Sequence, residues 1–269
     1  MQLGFIGTGN ITTALVEGLC TARVPSLHIL LSPRNAAKAS RLAALFTQVE
    51  IAENNQAVIR GCDTIILALR PQVALTVLRE LQFQSDQKII SLIAVTPITV
   101  VRDITAPARD VCRAVPLPSV AQHSGPILIY PDHAYANDIL NNVGQLFPVA
   151  DEKKLELLWT LTALISPYYA LMETASNWAA AAGIEERTAN GYTAAMFCAL
   201  SQQAMGISGK SFSDLVNEAA TPGGLNEQAL EIVRSKGAYN AFLTALDSIA
   251  DRLGVKTAEP NPNPPEAEN

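Results

Sequence analysis

Residues 4–15 read GFIGTGNITTAL, and within them Gly7, Gly9 and Thr12 set out a G-x-G-x-x-T spacing. The apolar run before it, QLGFIG, predicts a strand, while Ile11, Ala14, Leu15, Gly18 and Leu19 fall on one face of a following helix. A strand, a glycine turn and an amphipathic helix form the context in which this spacing binds a dinucleotide. The first Gly lets the chain turn sharply, the second lets backbone N–H groups approach a pyrophosphate, and the helix N-terminus favours the anion. Gly7, Thr8, Gly9, Asn10 and Ile11 are therefore the expected cofactor contacts. Thr12 stands where a third Gly or Ala is usual, which requires only a slight separation of helix and strand.

Outward from this turn, LHILL, DTIILAL and KIISLIA are further continuous apolar runs, with helical spacing over 36–45 and in VALTVLREL. Continuous apolar strands alternating with helices predict a parallel sheet covered on both faces, an α/β Rossmann-like doubly wound domain over 1–150. After Asp151 the strand-like runs stop. Helical patterns in LELLWTLTAL, TANGYTAAMFCALSQQAM and NAFLTALDSIADRL predict an all-helical second domain over 151–256. Residues 257–269, with four prolines and almost no apolar side chains, read as a disordered tail. No internal repeat of fixed period is found.

The second strand selects the cofactor. A unit that binds NAD usually ends this strand with an acidic residue, yet none occurs between Gly18 and Val49. LLSPRN instead supplies Ser32 and Arg34, a hydroxyl and a guanidinium suited to a 2′-phosphate, with Lys38 as a helper. NADP(H) is the expected cofactor.

Bulk properties narrow the rest. The chain has 269 residues, 49% of them apolar, and a net charge of −6, so no broad basic surface exists for nucleic acid or an anionic membrane. Cys20, Cys62, Cys112 and Cys198 are far apart with apolar neighbours, and read as reduced, packed thiols. The N-terminus lacks a basic segment ahead of an apolar run, and a cytoplasmic location is expected. Leu157 to Met172 is uncharged but is broken by Pro167 and is shorter than the roughly 20 residues of a span. It reads as a helix buried on several faces, some of them in a dimer. His28, His123 and His133 are scattered without metal-ligand spacing, and no metal site is expected.

Taken together, IGTGNITTALVEGL, DTIILALRPQ and TPGGLNEQAL, in this order and spacing from Gly4 to about Leu253, resemble the pyrroline-5-carboxylate reductase family. That resemblance implies a Rossmann domain and a helical domain that interlocks with a second copy, giving a homodimer whose site is completed across the interface. The implied reaction is hydride transfer from NAD(P)H to the carbon of a small carboxylated cyclic imine, giving proline. By the same resemblance Ala68, Leu69, Arg70 and Pro71 lie along the cofactor, and RAVPLPS at 113–119 runs beneath the nicotinamide. Gly223, Gly224 and Leu225 would meet the substrate at a break between two helices. Residue types agree there, with Thr221 an expected N-cap, Pro222 in a first turn and free N–H groups suited to a carboxylate.

Departures from the family pattern fall near the chemistry. Its two threonines after Gly-Gly are Leu225 and Asn226, its SGSGPAY segment is matched only by Ile165-Ser166-Pro167-Tyr168-Tyr169, and its Met-Pro-Asn is Val115-Pro116-Leu117. Candidate groups for protonating or orienting the imine nitrogen are Tyr168, Ser166, Thr221 and Asn226, with Tyr169 beside them. Glu173 and Asn177, four apart, share a helix face that could orient an ammonium or amide. Two alternatives stay open: a reductase of a different imine or a carbonyl, and an NADPH-binding regulatory protein without catalysis.

Overall fold

The structure is a computed structural model, and it describes residues 1–207 and 209–255. The tail reading for 257–269 lies outside the described residues. Two compact units are present, Met1–Trp159 and a second from Thr160 onward.

In the first unit, β1 (Gln2–Ile6), β2 (His28–Leu31), β3 (Val49–Ile51), β4 (Thr64–Leu67), β5 (Lys88–Ser91) and β6 (Asp110–Pro116) are parallel and stand in the order 3-2-1-4-5-6. This is the doubly wound order, and its direction of winding reverses between β1 and β4. Phe5, Ile29, Leu31, Ile65 and Ile66 are wholly buried, because helices cover both faces. One core cluster packs α1 (Asn10–Thr21), α2 (Ala36–Leu45) and α6 (Ala134–Leu140) on one face; the other packs α3 (Asn55–Gly61), α4 (Pro71–Arg79) and α5 (Ile98–Ile104). Each such aliphatic or Phe side chain contributes about 1.5–3 kcal/mol on burial.

The all-parallel expectation needs one correction. β7 (Pro126–Tyr130) pairs antiparallel to β6, and β8 (Gln145–Pro148) runs parallel to β7, so the last two strands are reversed. Only a 3-10 turn at Pro118–Gln122 and a short loop connect β6 to β7, too little for a parallel crossover. The same turn explains Gly18, where a Cβ would sit 2.3 Å from the Val120 carbonyl oxygen.

The second unit is helical. It holds α8 (Ile165–Ala181), α9 (Glu186–Gly206), α10 (Phe212–Ala219), α11 (Leu225–Ser235) and α12 (Ala238–Arg252). α7 (Glu152–Thr160) ends where this unit begins, and a 3-10 segment at Leu161–Leu164 leads into α8. The stretch 157–172 is thus not one helix, nor is it buried within its own chain. Tyr169, Leu171 and, further along α8, Trp178 at 76% are exposed. By length and composition alone the run Glu152–Ala181 would pass for a membrane span. Cys198 is also exposed, whereas Cys20, Cys62 and Cys112 are buried.

Candidate functional site

β1 delivers Gly7 into the turn at φ +103, and an added Cβ would lie 2.5 Å from the Ala68 carbonyl oxygen. Both the left-handed backbone and the close approach of the β4 end require glycine here. Around Gly9, by contrast, a Cβ would meet nothing within 4 Å, and Gly9 caps α1 without any side-chain hydrogen bond. The helix therefore starts with its first N–H groups uncapped by side chains, beside open space, which is the cradle a pyrophosphate fits. Thr12 fills the third position without loosening the packing: it is fully buried, and its hydroxyl donates to the Gly7 carbonyl at 2.7 Å.

Ser32 requires a correction. Its side chain is fully buried, and its hydroxyl accepts from Gly7 N at 2.9 Å, with Thr8 Oγ1 3.4 Å away. Thr8 Oγ1 also donates to the Ser32 carbonyl at 2.9 Å. The serine braces the glycine turn from inside and does not present its hydroxyl to a 2′-phosphate. Arg34 follows it in the exposed loop, next to Asn35, a left-handed residue whose amide donates to the Thr8 carbonyl at 3.1 Å. Lys38 reaches the Asn10 side chain, so a second cation borders the same turn. Sequence reasoning missed Asn35; its left-handed conformation, which asparagine tolerates better than most residues, was the available signal. Ala68 and Leu69 continue β4, Arg70 is the exposed N-cap of α4, and Pro71 is its first residue.

A cavity of about 280 Å³ opens at the carboxyl ends of the central strands. Asn10 and Ile11 of α1 line it, with 92–94 after β5, 113–116 of β6, Pro118 and Trp159. Ligands of doubly wound sheets bind in this position. The wall at 92–94 leads to Val95, a β-branched residue at φ +58, 53% exposed. Such backbone strain costs of order 1–3 kcal/mol and must be held by its surroundings. Trp159 was not singled out from sequence, since nothing in its helical spacing separates a cavity wall from a core position.

Arg113 is the only charged residue in that lining, and its side chain is 2% exposed. Its Nη1 bonds Glu152 Oε1 and lies 3.3 Å from Glu156 Oε1. Pairing with two carboxylates makes burial of the guanidinium tolerable.

In the second unit, Pro222, Gly223 and Gly224 form the link between α10 and α11. Gly224 N donates to the Thr221 carbonyl at 2.8 Å and Gly223 has φ +71, the pattern of a type II turn with Pro second and Gly third. The N-cap of α11 is Gly224, not Thr221, and Pro222 lies in the turn ahead of the helix. Nor are the turn's N–H groups all free, because Gly223 N donates to Glu227 Oε2 at 2.7 Å. Leu225 is 85% exposed, and the Asn226 amide donates to the Ala219 carbonyl at 3.2 Å. Ser166 and Tyr168 sit in the first turn of α8, where the Tyr168 ring meets Phe197 edge-on at 5.7 Å. Glu173 and Asn177 line a polar cleft of about 290 Å³ between α8 and α9 with Glu186, Asn190 and Thr193. Among the described residues no cluster of His, Cys, Asp and Glu is arranged to hold a metal ion.

A doubly wound sheet with an uncapped glycine turn at its winding reversal, followed by a helical unit, defines a dinucleotide-binding oxidoreductase. Residues 2–95 match the family model described as NADP oxidoreductase, coenzyme F420-dependent, and residues 155–254 match the one described as pyrroline-5-carboxylate reductase dimerisation. A pyrroline-5-carboxylate reductase of Corynebacterium melassecola is 25% identical over 93% of this chain and 96% of its own. Among solved structures, the 1-pyrroline-5-carboxylate reductase of Streptococcus pyogenes superimposes with a TM-score of 0.82 at 20% identity, covering 94% of this chain and 98% of that one. The Plasmodium falciparum pyrroline carboxylate reductase with NADP bound gives 0.80 at 18% identity, covering 94% and 97%. The matches over both units point to the pyrroline-5-carboxylate reductase family.

Proposed function

We propose that this protein reduces the C=N bond of pyrroline-5-carboxylate with NADPH to give proline, acting as a homodimer in the cytoplasm. The observation that carries this reading is the uncapped glycine turn opening beside the cavity at the strand ends, in a chain whose relative matched over 93% of it bears that activity in its name. NADPH, when bound, supplies the hydride that the imine carbon receives.

Gly7 and Thr8 shape the turn, while the backbone of Gly9, Asn10 and Ile11 holds the pyrophosphate. Arg34 and Lys38 take the 2′-phosphate, and Ala68, Leu69, Arg70 and Pro71 flank the cofactor along the end of β4. The walls at 92–94 and 113–116 fix the reacting ring and keep water out, which is most of what hydride transfer asks of a protein. The imine nitrogen also needs a proton, and Tyr168, Ser166 and Thr221 have hydroxyls that can relay one through water. Asn226 orients the nitrogen, and Gly223, Gly224 and Leu225 receive the rest of the substrate.

The apolar side chains exposed on α8 and α9, such as Trp178 and Tyr192, are covered in this reading by a second copy. Polar Glu173, Asn177 and Glu186 on the same helices suit a wet protein interface better than lipid. A bacterial strain auxotrophic for proline through loss of its own reductase tests the function. Growth without proline when this chain is expressed is expected, and no growth despite soluble expression counts against it.

A further inference from the structure

We infer that Glu152 is a positioning residue whose single carboxylate oxygen holds the two walls of the strand-end cavity in register for hydride transfer; this rests on the function proposed above. Glu152 Oε1 accepts from Ile98 N at 2.7 Å and from Arg113 Nη1. Ile98 begins α5 and ends the loop that carries the wall at 92–94. Arg113 belongs to the opposite wall, on β6. One atom at the start of α7 therefore ties together the strand wall and the loop wall.

Val95 makes that tie matter. A β-branched residue in the left-handed region will relax unless both ends of its loop are fixed. The near end is fixed by Leu92 N donating to the Leu67 carbonyl at 2.8 Å, and the far end by Ile98 N on Glu152. Glu156, 3.3 Å from the same guanidinium nitrogen, helps keep Arg113 in place. Glu152 thus differs from an ordinary buried ion-pair partner: its loss releases strain directly into a cavity wall.

The test compares wild type, Glu152→Ala, Glu152→Gln and the double variant Glu152→Ala/Val95→Gly. Two readouts are used: NADPH oxidation with pyrroline-5-carboxylate, and amide hydrogen exchange over 92–98. Small displacements of a reacting group are costly, so Glu152→Ala should lower kcat at least about 20-fold. Its KM for NADPH should stay within about threefold, because the turn at 7–10 and the cations at 34 and 38 are untouched. Exchange over 92–98 should quicken about tenfold while that of β4 stays constant. Gln keeps an acceptor oxygen and should retain most of kcat; Gly at 95 removes the strain and should restore part of what Ala loses.

Glu152→Ala with kcat and exchange like wild type overturns the inference, as does an equal loss in Ala and Gln with no rescue by Val95→Gly. If Glu152→Ala does not fold, the double variant carries the same comparison, and its failure to fold also counts against the inference. Absence of turnover in the wild type would defeat the proposed function alone. The exchange readout would still support the positioning role if loosening is confined to 92–98, and overturn it if that segment is unchanged.

Discussion

The amide of Gly7 donates to the hydroxyl of Ser32 at 2.9 Å, fixing the glycine turn to the end of the neighbouring strand. Both groups are buried, so this bond belongs to the architecture of the turn rather than to a cofactor's surface. Ser32→Ala would leave a buried N–H without its acceptor, at a cost of about 1–3 kcal/mol. Urea unfolding should show that loss, and affinity for NADPH and NADH should fall together. A loss confined to NADPH would return Ser32 to the 2′-phosphate.

Arg34, exposed two residues further on, should behave oppositely. Arg34→Ala is expected to weaken NADPH binding by about 1.5–3 kcal/mol, the range for a hydrogen bond to a charged group. NADH binding and stability should scarcely move. Titration of both cofactors by nicotinamide fluorescence reads this directly, and an equal loss for both would remove Arg34 from the 2′-phosphate site.

Gly223 N is already taken by the Glu227 carboxylate at 2.7 Å. A carboxylated substrate seated at this turn must compete with a like charge, worth on the order of 1 kcal/mol at a solvated site. Glu227→Ala should therefore lower KM for pyrroline-5-carboxylate several-fold while leaving KM for NADPH alone. An unchanged or higher KM for the imine would place the carboxylate elsewhere.

The first unit should also weaken in alkali. Burial raises the thiols of Cys20 and Cys62 to about 11 and that of Cys112 to about 12, and pushes the Tyr135 hydroxyl up as well. Above about pH 9 the unfolded chain releases these protons while the folded chain keeps them, so stability is full below that pH and falls as pH rises. Each thiol can contribute up to about 1.4 kcal/mol per pH unit. Tm measured from pH 8 to 11 should fall, and less steeply in Cys112→Ala once its lower starting value is allowed for. A flat profile would contradict the burial of these groups.

The sheet was legible wherever burial on both faces wrote continuous apolar runs. QLGFIG, LHILL, DTIILAL and KIISLIA all became strands, and the spacing over 36–45 became α2 with the same ends. β3, with three residues, was too short to leave a pattern, and the reversal at β7 rests on a short connection rather than on any apolar run. Residue type alone placed Ser32 at the end of the second strand but could not show which way its hydroxyl points. The same limit applied at Thr221, since a type II turn and an N-cap draw on similar residues and only the backbone separates them. Glu152 and Arg113 lie 39 positions apart, and nothing local links a residue in a strand to one opening a distant helix. Exposed apolar residues on α8 and α9 look, in sequence, like any buried helix, because the proposed burial by a second copy would require the same side chains as burial by the same chain.

The most direct measurement is NADPH oxidation at 340 nm by the purified protein with pyrroline-5-carboxylate, with NADPH binding followed by fluorescence in the same preparation. Saturable turnover in which one proline forms for each NADPH consumed is expected, with Leu225 and Asn226 tolerated in place of threonines. Tight NADPH binding with no turnover on this imine would contradict the proposed activity while leaving the nucleotide site standing.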